Sequence, residues 1–376
     1  MSTILSNRVQ KVKPSATMAV SDKAKELKSQ GIQIISMGSG EPDFDTPVNI
    51  QKAAIKAIGS GDTRYTPADG TAELKKAICE KFKRENGLDY SLNEVMVSCG
   101  GKQVFYNLCQ AILNEGDEVI IPTPYWVSYP DMAILADATP VFIEAGLDQD
   151  FKITPDQLEA SITNKSKLFV LNSPSNPTGS VYSKSEIKAL GEVLKKYPHV
   201  ITISDDIYEH VRWDGSDFVN IAMACPELKE RIVILNGVSK AYAMTGWRIG
   251  YAAGPETIIK AMKKIQGQST SNPSSISQAA ALEAITGDQS FISMMVEAFE
   301  RRHEFLVDSL NAIEGVECPR SGGAFYSFPK VQGLIERIGL KDDVEFSTYC
   351  LEKLSLAVVP GSAFGAPGYV RLSFAT

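Results

Sequence analysis

The chain has 376 residues, 44% hydrophobic and 22% charged, which suits an ordinary soluble enzyme of two domains, or of one large and one small. A formal net charge of −7 argues against a nucleic-acid partner, and no apolar run approaches the ~20 residues of a membrane span. Three histidines and six scattered cysteines, without CxxC or zinc spacing, leave little for a metal site or a Ser-His-Asp triad and point to free thiols in a reducing cytoplasm.

Residues 1–20 are basic and irregular, and read as an arm that packs on something else; Thr17 lies in it. Ser21 predicts a helix cap and Gly31 a helix end. A short apolar run over 32–37 leads into Gly38-Ser39-Gly40-Glu41-Pro42-Asp43-Phe44, too rich in Gly and Pro for regular structure. From about residue 48 helix and strand patterns alternate. The periodicity predicts a helix over 72–86 closed by Gly87, a strand over 95–98, and a helix from Gly100-Gly101 to about 113. Strands follow at 119–121, 140–143, 167–171, 199–204 and 232–235, with helices near 155–162 and 183–197 between several of them. This alternation predicts a mostly parallel sheet with helices on both faces, whose ligands bind beyond the carboxyl ends of the strands. After about residue 275 come two helices, the second over 289–313, then strand-like runs at 323–328, 356–359 and 369–374 around a helix at 343–355. The pattern predicts an α/β large domain over 48–275 and a smaller α+β domain over 276–376, to which part of 1–47 belongs.

Each central strand end carries a residue suited to chemistry. Lys240 stands just past the run 232–235, where burial would lower its pKa and free a nucleophilic amine. Alone it reads more readily as a solvated loop lysine. Eight residues on, Arg248 offers a planar fork for a phosphate. An amine nucleophile with a phosphate clamp is what pyridoxal 5′-phosphate requires. After the run 167–171, Asn172-Ser173-Pro174-Ser175-Asn176-Pro177-Thr178-Gly179 fixes a turn from which Asn176 offers an amide. After 201–203 come Asp205, Asp206 and Tyr208. A carboxylate there needs a partner such as a protonated pyridine nitrogen, and strand alternation lets only one aspartate face the ring. Tyr208 could reach the ring hydroxyl. Gly100 and Gly101 open a helix whose first amides suit a phosphate. Trp126 offers a flat face for stacking, though a core tryptophan is the plain alternative.

Asn176-Pro177-Thr178-Gly179, Asp205 with Tyr208, and Ser239-Lys240 with Arg248 together resemble the fold-type I, class I aminotransferases. The spacings fit, at 29, 35 and 8 residues from Asn176 to Asp205, Lys240 and Arg248 in turn. The wording of Gly40-Glu41-Pro42-Asp43-Phe44-Asp45-Thr46-Pro47, Gly100-Gly101-Lys102-Gln103 and Tyr125-Trp126-Val127-Ser128-Tyr129 is most similar to bacterial aspartate aminotransferases of the Iβ type, some of whose relatives use prephenate.

The resemblance implies pyridoxal 5′-phosphate, a cytoplasmic homodimer, and transfer of the amino group of L-aspartate to 2-oxoglutarate. It implies that Lys240 links to the cofactor and moves protons, that Asp205 rather than Asp206 pairs the pyridine nitrogen, and that Asn176 and Tyr208 hold the ring oxygen. It places Trp126 on the ring, Gly100, Gly101, Ser239 and Arg248 at the phosphate, and Tyr65 at the neighbouring subunit's phosphate. Arg371, Gly40, Trp126 and Asn176 would meet the substrate, with Lys102 and Thr17 at its distal carboxylate. Without the resemblance, Arg371 reads as a surface salt bridge.

Two departures stand out. Gly237 occupies a position where many relatives have a phosphate-binding hydroxyl, and residues 265–278 contain no Arg or Lys to read a distal carboxylate. The chain also stops five residues past Arg371, where the family usually adds a helix, so a truncated chain is expected. Rival readings are a prephenate, aromatic or alanine aminotransferase, a lyase on the same fold, or a cofactor-binding regulator, which would need a basic DNA-binding extension that the chain does not show. A dinucleotide enzyme is disfavoured because no G-x-G-x-x-G follows the first strand.

Overall fold

The structure is a computed structural model that describes residues 4–12, 14 and 16–375, with the side chains of residues 16, 17 and 21 outside the description. Seven strands form the central sheet: β1 (Val95–Ser98), β2 (Glu118–Thr123), β3 (Thr139–Glu144), β4 (Ser166–Asn172), β5 (Ile201–Asp205), β6 (Ile232–Gly237) and β7 (Gly250–Ala253). Their spatial order is β3-β2-β4-β5-β6-β7-β1. The first five in that order pair in parallel, while β7 runs antiparallel to both β6 and β1. This is the mostly parallel α/β sheet expected from the alternating pattern.

Strand alternation divides the core between the two faces. Phe169, Leu171 and Ile234 join one buried cluster, and Leu168, Val170, Val233 and Leu235 join another. Helices cover both. The helix Ala72–Asn86 ends at Gly87 in the left-handed conformation (φ 66°), as its sequence predicts.

Outside this sheet, Ile35–Ser36 pairs with Leu356–Ala357, and Val359–Pro360, Val370–Ser373 and Tyr326–Ser327 form a three-stranded antiparallel sheet. Among the described residues, no helix is long and apolar enough to cross a membrane.

Three expectations are corrected. Among the described residues of the first twenty there is regular structure: Asn7–Lys11 is a helix capped by Ser6, and a second helix, Ala16–Ser29, begins before Ser21. Packing of Val20, Ala24 and Leu27 against Ile34, Leu351 and Ala357 holds that helix despite its weak apolar pattern. The run at 323–328 narrows to two strand residues, because Gly323 bonds instead to the Gly179 carbonyl. Strand β7 was not anticipated: Gly-Tyr-Ala-Ala lacks both alternation and β-branched residues, and only its two neighbours make it a strand.

Candidate active site

The ends of the parallel strands meet at one pocket of about 280 Å³, a size suited to a small molecule. The pairing of β4 with β5 sets Asn172 directly beside Asp205, and β6 ends at Gly237, three residues before Lys240. Lys240 therefore emerges from a buried strand into the pocket, where it is half-buried and its Nζ donates to the Gly40 carbonyl at 2.6 Å. Burial, then the positive charges of Arg371 and Arg248, draw its amine down to about 8, against the pull of Glu41 and Asp205.

Asp205 and Asp206 face different surroundings, as alternation requires. Asp205 lines the pocket, accepts from the Tyr129 hydroxyl, and takes the Ile207 amide on its other oxygen at 3.3 Å. Burial raises its carboxyl to about 6 even against these donors and Lys240. Asp206 turns away to Ser204 and Asn220, at 2.7 and 2.6 Å. Tyr208 is buried and its hydroxyl lies 2.8 Å from that of Tyr326.

Arg371 is 2% exposed and is not a surface residue. The three-stranded sheet delivers it to the pocket, where Nη1 donates to Asn176 Oδ1 at 2.9 Å and Nη2 to the Gly38 carbonyl at 2.7 Å. Its Nε is buried without a partner, and among the described residues no carboxylate pairs with it. A buried guanidinium held only by neutral oxygens is a ready site for a carboxylate from outside.

The pocket is also lined by Gly101, at the start of the helix Gly101–Ile112, with Ser239 and Arg248. The first-turn amides of such a helix lack intrahelical partners. Gly100 is corrected: its amide is spent on the Ser98 carbonyl at 2.8 Å, and it does not line the pocket. Its contribution is space, since a Cβ there would lie 2.2 Å from Arg248 Nη2, and its φ of +84° suits glycine. Gly237 is a packing glycine: its Cβ would come within 3.0 Å of Gly250 Cα and the Ile249 carbonyl, which leaves tight quarters for a hydroxyl side chain.

Trp126 and Lys102 line the pocket together, with the Lys102 ammonium 5.2 Å from the indole centroid. Burial and then Arg248 hold Lys102 below the usual lysine range. Gly40 also lines the pocket. Tyr65 does not, and it is 92% exposed. The Thr17 side chain lies outside the described residues, although the next residue, Met18, reaches the pocket.

Sequence reasoning gave no role to Asn172, Tyr129, Thr245 or Tyr326. Asn172 ties two segments together, accepting from the Asn176 amide at 2.8 Å and donating to the Asp205 carbonyl at 2.9 Å. Its signal was its position at a strand end; its partners lie on another strand and a turn.

The donor set fits a phosphorylated pyridine aldehyde. It offers an amine with a lowered pKa, a buried carboxylate for a ring nitrogen, a flat indole, and an anion cradle that a Cβ at Gly100 would fill. The family model described as aminotransferase class I and II matches residues 32–376. The chain is 57% identical to the aspartate/prephenate aminotransferase of Nitrosomonas europaea, over 99% of this chain and 95% of that one. It is 54% identical to the enzyme of the same name from Cereibacter sphaeroides, over 99% and 94%. Among solved structures it is similar to an aspartate aminotransferase from Rhizobium meliloti, with a TM-score of 0.95, 47% identity, and 100% and 95% coverage. It is also similar to the Thermus thermophilus aspartate aminotransferase with maleate, with a TM-score of 0.94, 43% identity, and 100% and 96% coverage.

Proposed function

Because this chain belongs to the class I and II aminotransferases, a pyridoxal phosphate-dependent family of fold type I, we propose that it transfers the amino group of L-aspartate to 2-oxoglutarate and also serves prephenate. The products of the first reaction are oxaloacetate and L-glutamate, formed in two half-reactions with the amino group held on the enzyme between them. The observation that carries this reading is the buried Arg371, without a carboxylate of its own, in the same pocket as the Lys240 amine.

Pyridoxal 5′-phosphate, when bound, supplies a conjugated electron sink for the bond broken at the substrate Cα. Gly101, Ser239 and Arg248 hold its phosphate, with Gly100 leaving room for the guanidinium. Asp205 keeps a proton on the pyridine nitrogen, and Tyr208 and Asn176 hold the ring oxygen. Trp126 stacks on the ring. Lys240 would carry the proton taken from the substrate Cα; with its pKa drawn down to about 8, its amine has a larger free-base fraction near neutral pH than an ordinary lysine. Arg371, with Asn176 and Gly40 beside it, clamps the α-carboxylate. Lys102 and Thr17 meet the distal carboxylate, in place of an arginine from 265–278. The maleate of the Thermus relative, a four-carbon dicarboxylate, supports that substrate class.

The division into 48–275 and 276–376, with part of 1–47 joining the smaller unit, belongs to this reading. So does a cytoplasmic homodimer in which Tyr65 reaches the partner's phosphate. Its exposure supports that, as do Val48, Ile55 and Ile58 standing exposed on one helix. The test is turnover with L-aspartate and 2-oxoglutarate, and separately with prephenate and an amino donor. Turnover with neither pair sinks the assignment; turnover with prephenate alone moves the substrate and keeps the chemistry.

A further inference from the structure

Tyr326 has no role in the account above, yet its hydroxyl stands among the groups that do. It is 1% exposed and 2.8 Å from the Tyr208 hydroxyl. The Arg371 guanidinium packs over its ring at 4.5 Å. A Cβ on Gly40 would lie 2.0 Å from its oxygen, so the glycine is what lets this hydroxyl sit where it does. Gly40 in turn offers its carbonyl to Lys240.

We propose that Tyr326 is a positioning residue: its hydroxyl donates to the Tyr208 oxygen and sets the direction and strength with which Tyr208 donates to the cofactor's ring oxygen. The inference rests on reading the pocket as a pyridoxal phosphate site. A phenol has one proton. When Tyr208 gives its own to an oxygen in the pocket, its oxygen can only accept, and the Tyr326 hydroxyl is within reach. Hydrogen bonds in series polarise one another, so the outer donor strengthens the inner one. Burial pushes both phenols above their usual range, so neither ionises in service. The charged groups acting on the pair and on Lys240 are Arg371, Asp205, Arg248 and Glu41. All of them stay in place when Tyr326 becomes phenylalanine, and the ring beneath Arg371 stays too.

The test is a pH titration of the visible absorbance of the cofactor-loaded protein. Charge on the ring oxygen holds the proton of the neighbouring lysine linkage, and hydrogen bonds that draw off that charge loosen it. Tyr326→Phe should therefore move the midpoint up by about half a pH unit, and Tyr208→Phe should move it further. In a Tyr208→Phe background, adding Tyr326→Phe should change nothing more. Should Tyr326→Phe fail to load cofactor, Gly40→Ala takes its place, because it crowds the same hydroxyl and should give the same upward shift. An unmoved midpoint overturns the proposal, as does an equal shift with and without the Tyr208 hydroxyl. A wild-type protein with no lysine-linked band would overturn the cofactor reading beneath it, which a flat titration of a clear band would not.

Discussion

The Tyr129 hydroxyl donates to Asp205 Oδ2, and both side chains are buried at the pocket wall. Burial alone pushes the Asp205 carboxyl up, and this donor works against it by favouring the anion. Tyr129 is itself fixed between Phe105 and Trp126, with ring centroids 4.8 and 5.2 Å away. Tyr129→Phe keeps the ring and removes the donor. Loss of one bond to a buried charge is worth about 1.5–3 kcal/mol, so cofactor affinity should fall by roughly ten- to a hundredfold. A cofactor titration followed by absorbance checks this, and an unchanged dissociation constant would remove Tyr129 from the support of Asp205.

The lowered amine of Lys240 makes stability depend on pH in the cofactor-free protein. Its pKa is about 8 in the fold against 10.5 when free. Between those values the unfolded chain binds more protons than the folded one, so stability rises with pH across that window. Discounted for solvent at the pocket mouth, the gain is about 1–2 kcal/mol. Urea unfolding of the cofactor-free protein at both ends of the window should show it. Lys240→Met should lose it, and an identical slope in the two proteins would mean that Lys240 is not desolvated.

Lys102 stands over the Trp126 ring, its amine lowered by burial and Arg248 against the opposing pull of Asp131. Lys102→Ala should lower kcat/KM for aspartate by roughly ten- to a hundredfold and leave alanine nearly untouched, since alanine has no distal carboxylate. Steady-state kinetics with both amino acids decides it. Equal losses on the two would take Lys102 out of distal recognition.

Behind the pocket, Lys81 and Glu209 form a buried ion pair next to Tyr208, with side chains 1% and 3% exposed. Burial pushes the Glu209 carboxyl up, but Lys81 and His210 hold it below its usual range. Lys81→Met should destabilise by about 3–5 kcal/mol, because it strands a buried charge. Adding Glu209→Gln should recover most of that loss. Denaturant unfolding tests both, and a single variant as stable as the wild type would show that the pair contributes little.

How far these features were legible follows from how local their causes are. The parallel strands announced themselves as short apolar runs, and Gly87 marked its helix end, because those signals lie within the segment itself. Asp205 and Asp206 could not be separated by spacing; the choice rested on the resemblance, and in the fold it depends on Tyr129 from one segment and Asn220 from another. Arg371 read as a surface residue because its neighbours Gly38 and Asn176 are more than 190 positions away in the chain. Tyr129 lay inside a quoted motif and Tyr326 inside a strand, but a buried phenol does not name its partner. The helix ending before Gly31 was expected from Ser21, but it starts at Ala16, because packing of Val20, Ala24 and Leu27 near 351 and 357 extends it beyond what its own pattern shows.

The most direct measurement is an absorbance spectrum of the purified protein loaded with pyridoxal phosphate, before and after L-aspartate, beside Lys240→Ala. The account predicts a lysine-linked band that aspartate converts to the amine form of the cofactor. In the variant, that band should be missing and turnover should fall on the order of 10⁴-fold or more. A wild-type protein that shows no such band, or a variant that still transaminates substantially, would contradict the assignment of Lys240 and with it the reaction.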